Sequence, residues 1–177
     1  LLFCFGLFSC LLQVQAENVK PPERTISNLN AAIEGEANAS NRYRQFAKKA
    51  DAENYPQVAK LFRAISRAEE IHQKNHESAI KQLGGTVVVF QLQPVRAGTT
   101  KENLKEPILS ERQEKSETYP EFIRQARRDH AMNAMETFTY ARDAEFQHEH
   151  LLDQALKHFG KNKKMDYYVN TKTGSTI

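Results

Sequence analysis

The sequence predicts an all-α fold: a four-helix bundle built from two helix pairs joined by one long crossover connection. Three observations lead there. Apolar residues recur at helical spacing through four long segments, residues 86–98 between the second and third lose that period, and the two flanking pairs repeat one another. A length of 177 residues suffices for one domain with a real core. The net charge of +3 is small, and no basic run is interleaved with aromatics, which argues against nucleic acid as a partner.

Residues 1–16 (LLFCFGLFSCLLQVQA) stand apart because they carry no charge and are mostly Leu, Phe and Cys. The run is short for a membrane span and suits the apolar segment of a secretory signal peptide, with Val14-Gln15-Ala16 as an acceptable cleavage site. It has no initial Met or basic start, so the sequence is expected to open part-way into the signal. A second reading is a lipoprotein signal cut before Cys10, with the lipid anchor on Cys10; a third is an uncleaved apolar anchor. All three predict an exported protein of the periplasm or cell envelope. Both cysteines, Cys4 and Cys10, fall in this run. The remaining chain has no thiolate to offer, so any metal it binds must be held by oxygen and imidazole nitrogen.

Residues 17–24, with Pro21-Pro22, read as a tether, and residues 25–160 as the bundle domain. Thr25 or Ser27 can cap a first helix running to about Ala52. Its apolar stripe (Leu29, Ile33, Tyr43, Phe46, Ala50) contains Glu36. Pro56 suits the first turn of a second helix ending near Leu83 before Gly84-Gly85. Glu69 and His72 interrupt its stripe of Leu61, Phe62, Ile65, Ile80 and Leu83, whereas Glu70 and Gln73 lie off it. Residues 86–98 favour an extended chain. Thr99-Thr100-Lys101-Glu102 resembles a capping box for a third helix whose stripe includes Leu104, Ile108, Glu111, Tyr119, Phe122 and Ala126, with Glu114 one turn after Glu111. Two prolines are expected to disturb it: Pro120 by a kink, and Pro107, one turn before Glu111, by shifting the helix start and with it the placement of Glu111. The fourth helix is expected from about Ala131 to Phe159, with Glu145 and His148 inside the stripe of Phe138, Ala141, Leu152 and Ala155. Residues 161–177 are basic, then β-prone, and either fold back as a hairpin or stay loose.

The repeat carries the chemistry. Glu36 and Glu69 are 33 residues apart, Glu111 and Glu145 are 34 apart, and Asn28 and Asn103 each precede the first acid by eight. Each half offers one Glu from its first helix and a Glu-x-x-His pair from its second; residues three apart share a helix face. That is the donor set of a carboxylate-bridged two-metal site in a four-helix bundle. Ionised Glu in an apolar stripe costs several kcal/mol if unpaired, and two divalent ions offset most of five such charges. Carboxylates with one imidazole per ion suit Fe or Mn, with Zn as a competitor. One Glu-x-x-His pair alone would be a common accident; two in register with the repeat are not. His76, His130, His150 and His158 read as surface or packing residues. Glu34, Glu70, Glu117, Glu121 and Glu136 read as solvated helix faces. Tyr43 and Tyr119, one or two turns after Glu36 and Glu114, are either core aromatics or hydrogen-bond donors to the metal-binding carboxylates.

The stretches AAIEGEANASNRYRQFAKKA and AEEIHQKNH, with ENLKEPILSERQEKSETYPEFIRQA and FTYARDAEFQHEHL, resemble the rubrerythrin family of ferritin-like di-iron carboxylate proteins over residues 25–160. By that resemblance Glu36, Glu69, His72, Glu111, Glu114, Glu145 and His148 hold two Fe ions. Glu69 and Glu145 bridge them, one iron exchanges Glu114 for His72 on reduction, and Tyr43 and Tyr119 support the ligands. The resemblance implies a peroxidase of oxidative-stress defence that reduces hydrogen peroxide, with ferrous iron oxidised by peroxide or oxygen at the same site. The alternatives are non-catalytic iron binding or ferritin-like storage, and a structural bundle holding Zn or Mn passively. It also implies a homodimer, with exchange of helix pairs through the long connection left open. One departure stands out. Residues 168–174 resemble the start of a rubredoxin-like domain, but Asn170 and Thr173 stand where cysteines would bind its iron. Re-reduction would then need an external electron donor.

Overall fold

The structure, a computed structural model, describes residues 21–177. The expected signal, with Cys4 and Cys10, and tether residues 17–20 lie outside the described residues. The fold is all-helical: α1 (Glu23–Ala52), α2 (Pro56–Gln82), α3 (Thr100–Gln113), a π-helical stretch (Glu114–Thr118), α4 (Tyr119–Arg128) and α5 (Met132–Lys157). The third rod is α3, the π stretch and α4 in sequence. Among the described residues no helix is long and apolar enough to cross a membrane.

α1 starts two residues before the expected cap, at Glu23, and no side chain caps it. Thr25 is buried instead, and its hydroxyl donates to Asp129 Oδ2 at 2.6 Å, tying the start of α1 to the end of α4. The second half copies this tie: the Thr100 hydroxyl donates to Glu53 Oε2 at 2.7 Å, joining the start of α3 to the end of α1. The turns repeat as well. Asn54 and His130 both adopt left-handed φ, 62° and 53°, and the next residues, Tyr55 and Ala131, each donate N–H to a carbonyl five residues back at 2.8 Å. Each helix pair is thus reversed by the same left-handed C-terminal turn.

The capping box forms as expected. Thr99 accepts from the Glu102 N–H, and Glu102 Oε2 accepts from the Thr99 N–H at 2.8 Å. The crossover runs extended along α1, caught by two of its side chains. Asn30 Oδ1 accepts from Val88 N–H and Asn38 Oδ1 from Gln93 N–H, both at 2.8 Å.

Pro107 behaves differently from expectation. Pro107 lies inside α3, which continues through it with the ring buried, so Glu111 is not displaced. Loss of one backbone bond is tolerated because that ring packs into the bundle. Pro120 falls in the first turn of α4, directly after a π-helical turn. Pro120 has no N–H for the carbonyl one turn back, and its ring crowds that carbonyl, so widening the turn removes the conflict. The Ser116 hydroxyl donates to the Arg112 carbonyl within the widened region. The widened turn also accounts for the repeat's one-residue mismatch. Glu36 and Tyr43 are seven residues apart in α1, whereas Glu111 and Tyr119 are eight apart across the π stretch. One inserted residue returns Tyr119 to the inward face that a seven-residue spacing would give it.

Two apolar clusters fill the bundle. One gathers Tyr43, Phe46, Leu61, Phe62, Ile65 and Leu152; the other gathers Leu29, Ile33, Ile80, Tyr119, Ile123 and Phe138. Tyr43 stacks on Phe62 at 5.9 Å between ring centroids, and Tyr119 lies 6.1 Å from Phe138. Phe62 and Phe138 each precede a Glu of a Glu-x-x-His pair by seven residues. The acidic layer is therefore bounded on both sides by equivalent aromatic packing.

Candidate metal centre

Helical spacing delivers the donors. Glu36 comes from α1, Glu69 and His72 from α2, Glu111 from α3, and Glu145 and His148 from α5, and all six are at most 3% exposed. They form two groups sharing two members: Glu36, Glu69, His72 and Glu145, and Glu69, Glu111, Glu145 and His148, with donor atoms within 4.8 Å of one another in each. The sharing is visible atom by atom. Glu69 Oε2 is 3.0 Å from His72 Nδ1 while Oε1 is 3.3 Å from His148 Nδ1. Glu145 Oε2 is 3.0 Å from His148 Nδ1 while Oε1 is 4.0 Å from His72 Nδ1. Glu36 faces only the His72 side, at 3.7 Å, and Glu111 only the His148 side, at 3.6 Å.

The tyrosines cross over. The Tyr43 hydroxyl donates to Glu111 Oε1, and that of Tyr119 to Glu36 Oε1. Each half's phenol serves the other half's acid, not the one preceding it on its own helix. Burial first, then the facing carboxylate, raises both phenols well above 10, so they remain donors.

Glu114 lies outside both groups, in the first position of the π stretch. With Glu36, Tyr119, Gly35 and Phe122 it lines an open cavity of about 260 Å³. Burial, then Glu111, Glu36 and Glu69, pushes its carboxyl well above 4.5.

Of the two alternatives the sequence leaves for His76, surface or packing, the structure takes the second: its ring lies 6.1 Å from Tyr119 and 5.2 Å from Phe138. It is fully buried, with Nε2 3.8 Å from Glu36 Oε1 and without a hydrogen bond, and Nδ1 3.1 Å from the Thr137 hydroxyl. Burial lowers its pKa against the pull of Glu36, leaving it neutral. The signal was present in the repeat: His76 follows Glu69 by seven residues, where the second half has Leu152 after Glu145. It is the polar exception to an otherwise matched pair of layers.

Without a cation the layer holds itself together with protons. Burial alone would lower His72, but Glu36 and Glu69 raise it to about 9. His148 rises well above 6.5 for the same reason, with Glu69 and Glu145 outweighing burial. Burial and the neighbouring carboxylates raise Glu145 well above 4.5. Glu36 is lowered because His72 and His76 outweigh burial. Even so, Glu111 Oε2 and Glu145 Oε1 are buried with no hydrogen-bond partner. Orphaned acceptors facing imidazole Nδ1 atoms in a sulfur-free donor set fit hard divalent cations.

Fold and site together define a ferritin-like four-helix bundle whose carboxylate–histidine clusters can hold two metal ions. The rubrerythrin family model matches residues 27–156, so the chain belongs to the rubrerythrin family. It is 33% identical over 146 residues to Rubrerythrin-2 of Clostridium acetobutylicum, covering 80% of this chain and 77% of that protein. It is 35% identical over 124 residues to nigerythrin of Nitratidesulfovibrio vulgaris, covering 70% of this chain and 61% of that one. Among solved structures, nigerythrin in its fully reduced, all-ferrous state superposes with a TM-score of 0.79 at 27% identity, covering 94% of this chain and 81% of that one. A bacterioferritin of Rhodobacter capsulatus, with a TM-score of 0.71 at 22% identity over 77% of this chain and 86% of that one, shares the fold. The chain is a di-iron protein of the ferritin-like class.

Proposed function

We propose that the chain is a peroxidase, a di-iron oxidoreductase that reduces hydrogen peroxide to water, with ferrous iron oxidised at the same site. The observation that carries this reading is the shared pair of carboxylates. Glu69 and Glu145 each present one oxygen to the His72 side and one to the His148 side, the arrangement that lets two ions act on one small oxygen substrate. Glu36 and His72 would complete one ion's protein ligands, and Glu111 and His148 the other's. Two ferrous ions, when bound, supply the two electrons that cleave the O–O bond, and two protons complete the two water molecules.

The chain's own residues handle access and protons. The cavity beside Gly35 and Glu114 has room for peroxide and a few waters, at about 30 Å³ of liquid volume per water. Glu114, at the cavity wall beside Glu36, is the carboxyl placed to pass a proton between the cavity and the site. Tyr43 and Tyr119 keep Glu111 and Glu36 oriented by donating to Oε1 of each. His76, neutral and adjacent to Glu36, adds a polar group on the cavity side alone.

Asn170 and Thr173 cannot bind iron as cysteines do, so the reading includes an external electron donor. It also includes a homodimer and, from residues 1–16, export to the periplasm or cell envelope in oxidative-stress defence. The test is anaerobic. Iron-loaded, reduced protein mixed with peroxide should oxidise two irons per peroxide consumed and return to the ferrous state with a chemical donor over many cycles. A single oxidation followed by growth of an iron mineral would overturn the peroxidase reading in favour of storage.

A further inference from the structure

The tail at 168–177 folds back as a hairpin, and it closes over the imidazoles of the metal centre. Its arms pair through Tyr168 N–H to the Ile177 carbonyl at 2.8 Å, the reciprocal bond at 3.0 Å, and a Val169–Thr176 bridge. Asn170 shapes the tip. Its Oδ1 accepts from the N–H groups of Lys172 at 2.9 Å and Thr173 at 3.1 Å, and its carbonyl accepts from Gly174 N–H at 2.9 Å. The hairpin is pinned to the bundle from both Glu-x-x-His helices. Asn75 Nδ2 donates to the Lys172 carbonyl at 2.9 Å, and Gln147 Oε1 accepts from Thr176 N–H at 2.7 Å and the Ser175 hydroxyl at 3.0 Å.

That placement aims two acceptors at the histidines from outside. The Thr173 carbonyl is 3.1 Å from His72 Nε2, and Thr176 Oγ1 is 3.4 Å from His148 Nε2. A carbonyl can only accept, so His72 Nε2 carries a proton. The Thr176 hydroxyl spends its own proton on the Gly174 carbonyl at 3.1 Å, so its oxygen faces His148 as an acceptor. With both Nε2 atoms protonated, Nδ1 is the atom free to bind an ion, and Nδ1 of each ring faces Glu69 and Glu145. The approach is close enough to require glycine. Residue 174 has φ +75°, and a Cβ there would lie 2.1 Å from His72 Nε2.

We propose that the C-terminal hairpin is a positioning clasp for the metal centre. By accepting from Nε2 of His72 and His148 it fixes each ring and tautomer with Nδ1 turned inward. It also shuts the histidine end of the site to water, leaving the cavity beside Gly35 and Glu114 as the route in. Outer acceptors of this kind are what hold metal-binding imidazoles in register elsewhere. Where cysteines and iron would otherwise shape this loop, the Asn170 side chain does so, and the loop bears on the histidines without an ion of its own. The proposal rests on the reading of the clusters as a two-ion site.

Zinc-loaded protein, which is diamagnetic, tests it without reference to turnover. Imidazole Nε2–H exchange is followed by NMR and zinc release by transfer to a chelator, in wild type, Gly174→Ala, Thr176→Val and Thr176→Ser. In wild type both Nε2–H protons should exchange slowly. Gly174→Ala should speed exchange at His72 and release of one of two zinc ions by about tenfold or more. Thr176→Val should affect His148 alone, with Thr176→Ser restoring it. If Gly174→Ala does not fold, the Thr176 pair decides. Solvent-rate exchange in wild type, or variants that match wild type while two zinc ions stay bound, would overturn the clasp alone. Fewer than two zinc ions on wild type would overturn the two-ion reading and the clasp with it.

Discussion

Metal-free protein should lose stability as pH rises, and bound metal should compensate most at high pH. The perturbation is removal of the ions by a chelator, followed by thermal unfolding between pH 5.5 and 9. His72 is raised from 6.5 to about 9 by Glu36 and Glu69 against burial. A raised folded pKa means the folded state holds the proton more tightly. The stability it contributes is fully present below 6.5 and is lost as pH climbs through about 9. That single group is worth roughly 3 kcal/mol, which for a domain of this size lowers Tm by about 6–12 °C. His148, raised by Glu69 and Glu145, acts in the same direction. Glu145 and Glu69 are also raised, so their contributions decline from 4.5 upward. Glu36 and Glu111 are lowered, and their contributions fade only on acidification below 4.5. Bound cations displace these protons, so the Tm increment on zinc loading should grow steadily from pH 5.5 to 9. Circular dichroism melts with and without zinc read this directly. A metal-free Tm that rises with pH over that range, or a zinc increment independent of pH, would refute the reasoning.

Three variants probe the parts of the site separately. Tyr43→Phe leaves Glu111 Oε1 without its donor and should weaken the ion on the His148 side by about tenfold, whereas Tyr119→Phe should weaken the other; stepwise ferrous titration distinguishes them. Gly35→Leu should keep both irons and slow peroxide reduction by about tenfold or more, measured as kcat/KM, because Gly35 lines the cavity and a Cβ there meets nothing within 4 Å, so the larger side chain can grow into the mouth. His76→Leu, which copies Leu152 of the second half, should retain two irons per chain while lowering kcat by roughly tenfold; unchanged turnover would make His76 a packing residue.

The six clustered donors were legible because their helical period is carried by the apolar residues around them, and because each half repeats the other. The crossover and the Thr99 capping box were legible for local reasons: loss of period, and a side chain three residues from its partner. What escaped was decided between elements. Tyr43 and Tyr119 were legible as possible donors to the metal-binding carboxylates, but not which carboxylate each serves, since spacing along one helix says nothing of which neighbour it faces. The π stretch was written in the difference between 33 and 34 residues, with Pro120 in the first helical turn directly after the widened one. Glu114, one turn after Glu111, shares the cavity wall with Glu36 but stands apart from the two clusters, at the first position of the π stretch. His76 looks like any helical histidine until it is set beside Leu152. The hairpin's hold on His72 and His148 joins residues 101 and 28 positions apart through a backbone carbonyl and a hydroxyl, which leave no pattern in a sequence.

The account turns on Glu69 and Glu145 each serving two ions. Anaerobic titration of metal-free protein with ferrous iron tests this most directly, in wild type and in Glu145→Ala. Wild type should bind two irons per chain, and Glu145→Ala should lose the paired site, holding fewer than two. Wild type that binds one iron or none, or Glu145→Ala that still binds two as tightly, would contradict it.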